Sequence, residues 1–218
     1  MVLSLSRNIS IYVISAICGN WWIESGINSG IYESLVVTPP NFIYHDNMGG
    51  FGLGQWTNVG SSTGRRWRLH EYLSGKGLPE DSFTGQIDFL FDEAYWTPKP
   101  QYGYGEFNTL DEFLASTSTD IEYLTHTYNY CWEGIRNDTW DLRVQRANEV
   151  YQYLLQHKED TVSPVIGNRY LSVDERLNNS VCVFQYIGGA TPPTPPTPID
   201  LMNILPAIIS TKRKRKEL

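Results

Sequence analysis

The stretch Gly19-Asn20-Trp21-Trp22-Ile23-Glu24-Ser25-Gly26 closes an apolar run that begins at Ile9. Ile9, Val13, Ala16, Ile17, Asn20, Trp21 and Glu24 recur at steps of three and four, the spacing of one face of an α-helix. Asn8 or Ser10 can cap its start by accepting a bond from a free first-turn amide, and Gly26 stops it. Glu24 therefore rides on the last turn, with Trp21 and Ile17 on the same face behind it. Apolar neighbours disfavour the charged form of a carboxyl, so the arrangement predicts a Glu24 that stays protonated near neutral pH and can act as a general acid. Residues 1–18 carry one Arg ahead of the apolar run, in the manner of a weak secretory leader. Ser10 and Ser15 interrupt that run, no good small-residue cleavage site precedes Cys18, and the pattern continues into Glu24. The segment reads as a mature helix.

Downstream, Gly50-Phe51-Gly52-Leu53-Gly54-Gln55-Trp56-Thr57 predicts a small β-hairpin, centred on Met48-Gly49-Gly50, whose glycines let backbone approach a ligand. Gln55 and Thr57 would share one face of a strand, alternating with Trp56. Helical patterns follow at residues 63–73, ended by Gly75, and at 83–96, ended by Pro98. Thr109 with Glu112 and Thr119 with Glu122 fit the capping box, in which each side chain satisfies the other's free amide. A long helix over 139–157 closes this region. The extension at 161–190 contains β-prone pieces, 169–173 and 180–187. Residues 191–198, Thr-Pro-Pro-Thr-Pro-Pro-Thr-Pro, form a stiff spacer. The last segment, 199–218, is apolar and then basic, and its apolar part is shorter than the roughly 20 residues that span a bilayer.

A chain of 218 residues, 41% hydrophobic and 13% aromatic, holds one compact domain with an appendage. Its aromatic side chains supply both a core and faces suited to stacking on sugar rings. The net charge of −7 conceals five basic residues at 212–216, so the preceding body is more acidic still, which argues against a nucleic-acid partner. Cys18, Cys131 and Cys182 form no CxxC pair and read as small buried apolar side chains. The four histidines lack zinc-ligand spacing, so neither metal nor cofactor is expected. Arg65, Arg66 and Arg68 read as a solvated helix face, with binding of peptide-stem carboxylates as the alternative.

Glu24-Ser25-Gly26-x-Asn28-x-Gly30 followed by Gly52-Leu53-Gly54-Gln55-Trp56 resembles the phage tail lysozymes, relatives of the lysozyme and lytic-transglycosylase superfamily. The similarity extends through Gly30-Ile31-Tyr32-Glu33, Arg65-Arg66-Trp67, Gln86-x-x-Phe89-Leu90 and Tyr128-x-x-x-Trp132-Glu133 to Arg143 and Ala147, over roughly residues 8–157. The resemblance implies a mainly α (α+β), lysozyme-like helical domain over 1–160 with a small hairpin and a short C-terminal extension. It further implies a virion enzyme at the phage tail tip that cuts host peptidoglycan, with Glu24 as general acid and Trp21, Gly52, Gln55, Trp56 and Thr57 around the glycan. Glu33 or Asp46 would be the second carboxylate, a nucleophile near 5 Å from the first or a water-activating base beyond about 6.5 Å. A reaction needing neither would be transglycosylase-like. Other tail proteins are expected partners, and residues 199–218 would anchor the enzyme in the tail or touch a membrane. The rival class is an inactive lysozyme-like module that serves as a structural or sugar-binding tail protein.

Overall fold

A computed structural model describes residues 8–36, 49–58, 64–134 and 139–188. It is mainly helical, with seven α-helices among those residues. Helix α1 (Ile11–Glu24) starts at Ser10, whose side chain accepts from the Val13 amide at 3.3 Å. Its residues 11–22 are buried on every side, so α1 is a central rod rather than an amphipathic surface helix. Around it lie α5 (Ile121–Tyr128), α6 (Trp140–His157) and α7 (Val173–Ile187). Helices α2 (Arg65–Gly75) and α3 (Phe83–Glu93) pack on each other, and α4 (Leu110–Leu114) precedes α5.

Two buried amides fix the rod. Asn20 Nδ2 donates to Ala16 O within α1 at 2.9 Å and to Thr125 O of α5 at 3.0 Å. Asn179 of α7 donates to Ile27 O at 2.7 Å and to Val165 O at 2.9 Å, tying the loop after Glu24 to the C-terminal region. A buried amide left unpaired costs about 1–3 kcal/mol, so each such link holds its register strongly.

Most boundaries follow local signals. Thr109 caps α4 through the Glu112 amide at 3.2 Å, while the Glu112 carboxylate reaches back to the Asn108 amide rather than to Thr109. Helix α5 starts one residue later than the Thr119 box predicts, with Asp120 accepting from the Tyr123 amide at 2.9 Å. All three cysteines are buried and free.

Two expectations need correction. The β-prone extension at 161–190 is helical from Val173 to Ile187, and Ser172 with Glu175 forms the full capping box there. Its Val181, Val183, Phe184 and Ile187 gain burial beside α1 and α6, and that packing outweighs the local strand preference of the Val-Cys-Val-Phe run. The hairpin is reduced to isolated bridges, Tyr32 to Phe51 and Phe51 to Trp56, about a turn at residues 52–55. Gln55 sits in that turn with φ 45°, so it shares no strand face with Thr57. Met48, the spacer 191–198 and the segment 199–218 lie outside the described residues. No helix among the described residues is long and apolar enough to cross a membrane.

Gly19 lets α1 pack tightly on α6: a Cβ there would lie 2.6 Å from Ala147 Cβ and 2.8 Å from its backbone nitrogen. Gly19→Ala is expected to lower stability by about 1–3 kcal/mol through overpacking, although alanine is the better helix former. Urea denaturation should show a lower midpoint at unchanged m-value.

Candidate active site

Glu24 is the last residue of α1, and its carboxylate is ion-paired to Arg143 Nη2 of α6. The arginine side chain is 1% exposed and the glutamate 16%, so the pair joins the interior to the surface. Arg143 Nη1 also donates to Asn20 O at 3.3 Å and Asn20 Oδ1 at 3.1 Å, and its Nε to Thr139 Oγ1 at 3.3 Å. This differs from the apolar setting expected for Glu24. Trp21 is indeed buried one turn below, yet the carboxylate itself meets a guanidinium.

The desolvated carboxyl is a different one. Glu133 ends a π-helical turn, Asn129–Glu133, that continues α5, and Gly134 leaves that turn with φ 76°. Its Oε1 is enclosed and has no hydrogen-bond partner among the described residues. Burial pushes the Glu133 carboxyl well above the usual range, and the negative charge of Glu24 pushes it further, while Arg143 and Arg65 act in the opposite sense. A wide turn of this kind frequently marks a functional position.

The loop after α1 is fixed by its glycines and by one glutamine. Gly26 has φ 67°, and a side chain there would meet the Arg176 guanidinium at 3.2 Å. Gln86 of α3 accepts from Leu53 N at 2.9 Å and donates to Ser29 O at 2.9 Å and Glu80 O at 2.7 Å. It thereby ties the Glu24 loop to the Gly-rich turn. Gly52 lies against this amide with φ 72°, and a Cβ would overlap it.

The proposed sugar-contacting residues serve largely as framework. Gln55 Nε2 donates to Gly52 O at 3.0 Å. Trp56 is 1% exposed, packs edge-on against Trp132 at 6.0 Å and donates to Glu93 Oε2 at 3.3 Å. Thr57 is half-buried, and its carbonyl accepts from Arg66 N at 3.2 Å. Glu93 is fully enclosed and grips Arg65 with both oxygens, at 2.7 and 2.8 Å, while Arg68 reaches it at 3.2 Å. Arg66 is buried and donates to Gly49 O at 2.9 Å. Arg65 and Arg66 therefore hold α2 in place, while Arg68 remains on its exposed face.

Glu33 is exposed in the 3-10 turn Glu33–Leu35, with its Oε2 accepting from Gly50 N at 2.8 Å. No bond joins it to Glu24 among the described residues, and Asp46 lies outside them. No group of three His, Cys, Asp or Glu among the described residues could hold a metal ion. The two missed members, Glu133 and the Arg143 pairing, were both present in the family-like pattern, but neither carried a local sign of its partner.

A family model described as phage tail lysozyme matches residues 2–154. No curated protein matches the sequence.

Truncating Arg143 tests how far the site depends on this pair. Arg143→Met leaves Glu24 and the Asn20 acceptors without their donor and is expected to cost about 3 kcal/mol or more, whereas Arg143→Met with Glu24→Gln together should recover part of that loss. Additive losses in a denaturation cycle would remove the coupling.

Proposed function

Since the chain belongs to the phage tail lysozyme family, we propose that it cleaves the glycan strand of bacterial peptidoglycan, with Glu24 as general acid. The observation that carries this reading is the Glu24 carboxyl at the end of a buried helix, partly open to solvent and held from within by Arg143. Rigid support of this kind keeps an acid within reach of the atom it protonates. In the reaction, the bond from the anomeric carbon to the glycosidic oxygen breaks. The oxygen keeps the electron pair and takes the proton from Glu24. Water then adds to the anomeric carbon in a hydrolase, or the sugar's own hydroxyl does so in a transglycosylase.

Glu33 is the leading second carboxylate and Asp46 the next, either as nucleophile or as base; a transglycosylase would need neither. The enzyme would work from the tail tip, beside other tail proteins, as the phage opens the wall. Residues 199–218 would anchor it in that assembly or contact an anionic membrane. Liposome binding that survives deletion of 199–218 would exclude the membrane contact.

Zymograms on purified cell walls test the central claim. Wild type should clear them, and Glu24→Gln should lose about 100-fold or more of the activity. Equal clearing by both would remove Glu24 from the mechanism, and no clearing by wild type would favour an inactive, sugar-binding tail module. Mass spectrometry of the fragments separates reducing ends from anhydro sugars, and so hydrolase from transglycosylase.

A further inference from the structure

The loop that leaves Glu24 is held along its length by a segment that follows the matched residues 2–154. Asn179 of α7 donates to Ile27 O at 2.7 Å. Asn28 donates to Gly167 O and Arg169 O at 2.6 and 2.9 Å, while its Oδ1 accepts from Gly30 N at 3.0 Å and Gly167 N at 3.2 Å. A Cβ on Gly30 would lie 2.8 Å from Ile166 Cγ2, so the two stretches of chain run in contact. The strap reaches furthest at Asn168. Its Oδ1 accepts from Tyr32 N at 3.1 Å and its Nδ2 donates to Leu35 O at 3.2 Å, so one exposed amide spans the 3-10 turn Glu33–Leu35 from the residue before it to its last residue. The strap is itself fixed. Arg169 pairs with both oxygens of Glu175, at 3.0 and 2.6 Å, and Arg176 Nε donates to Leu171 O at 2.9 Å.

The turn needs such a clasp. Ser34 and Leu35 have φ 54° and 59°, a region costly for any residue with a Cβ. Residues of this kind persist only where surrounding contacts over-determine them, and they concentrate at functional positions. On the other side of the turn Gly50 completes the bracket, its carbonyl accepting from Glu33 N at 2.8 Å and its amide donating to Glu33 Oε2 at 2.8 Å. We propose that Asn168 is a positioning residue for the reaction: by clasping Tyr32 N and Leu35 O it holds the strained turn that presents Glu33, and so fixes where the second carboxylate stands relative to Glu24. This rests on the reading of Glu24 as the acid and Glu33 as its partner. Asn168 acts through the backbone of the turn and not on the sugar. Misplacing a reacting group by about 1 Å can cost about 100-fold in rate, so an exposed turn that carries one must be held from outside.

A double-mutant cycle on the full chain, read in kcat and KM on soluble glycan strands from cell walls, separates positioning from plain structural support. Asn168→Ala should lower kcat by about tenfold with KM within about twofold of wild type, and Glu33→Gln should lower it by about 100-fold. In the Glu33→Gln background, Asn168→Ala should change kcat by less than about twofold, because no carboxylate remains for the clasp to place. A kcat for Asn168→Ala within about twofold of wild type, or the same loss in both backgrounds, overturns the proposal. Amide hydrogen exchange followed by NMR gives a readout apart from catalysis. The Tyr32 amide should exchange faster by about tenfold or more in Asn168→Ala, while the amides of α1 keep their protection. An unchanged Tyr32 amide overturns the proposal, and so does protection lost across α1 as well, which would mark general destabilisation. The reading beneath it fails separately. Glu24→Gln as active as wild type removes the acid, and Glu33→Gln as active as wild type removes the second carboxylate and the clasp's purpose with it. If both of those variants are impaired and Asn168→Ala is not, the carboxylates stand and only the clasp fails.

Discussion

A buried guanidinium must be paired, and in this molecule that requirement organises the centre of the fold. Arg143 lies inside the protein between α1 and α6, and its donors reach the Asn20 amide and carbonyl and the Glu24 carboxylate. It can do so because Gly19 lets the backbone of α1 come against Ala147, one turn along α6 from Arg143. Asn20 then carries the constraint onward to α5 through Thr125. Removing water from a charge is costly, so the whole arrangement is stable only when these groups meet together. The consequence is a carboxylate whose position is set by three helices rather than by the loop that follows it.

A second ion cluster performs the same service for the Gly-rich turn. Glu93 gathers Arg65, Arg68 and the Trp56 indole, and Arg65 lies over the Trp132 ring at 4.2 Å. Trp132 immediately precedes Glu133, so the turn, α2, α3 and the π-helical segment are joined through one stack of rings and charges. The residues that look like a sugar-binding strand in the sequence are therefore mostly its supports. Gln55 closes the turn and Trp56 fills the space beneath it.

Two acidic groups in contrasting surroundings are a recurrent means of running acid chemistry near neutral pH. Here the contrast is between a carboxylate paired to a guanidinium and a buried carboxyl, Glu133, one of whose oxygens has no hydrogen-bond partner among the described residues. The apolar setting expected for Glu24 is not what the fold provides; it is the Glu133 carboxyl that burial pushes upward. The segment before α7 adds to the support: Asn28, four residues after Glu24, donates to Gly167 O at 2.6 Å and Arg169 O at 2.9 Å, so residues beyond 160 help hold the loop after Glu24.

What was legible in the sequence was whatever is decided within a few residues. The Ser10 start and Glu24 end of α1, the Thr109 cap, the start of α6 after Thr139 and the Gly26 stop all follow from hydrogen bonds between near neighbours and from the helical repeat. Ser172 and Glu175 offered the same signal for α7, but the β-branched run after them masked it, and only burial against α1 and α6 decided in favour of the helix. The ion pair of the site joins residues 119 positions apart, and the charges that act on Glu133 come from four helices. Neither leaves a mark on periodicity or composition, because charge pairing and desolvation are properties of the space around a group. The chain alone determined that a glutamate stands at the end of a buried helix; tertiary packing decided which cation meets it and which other carboxyl is kept from water.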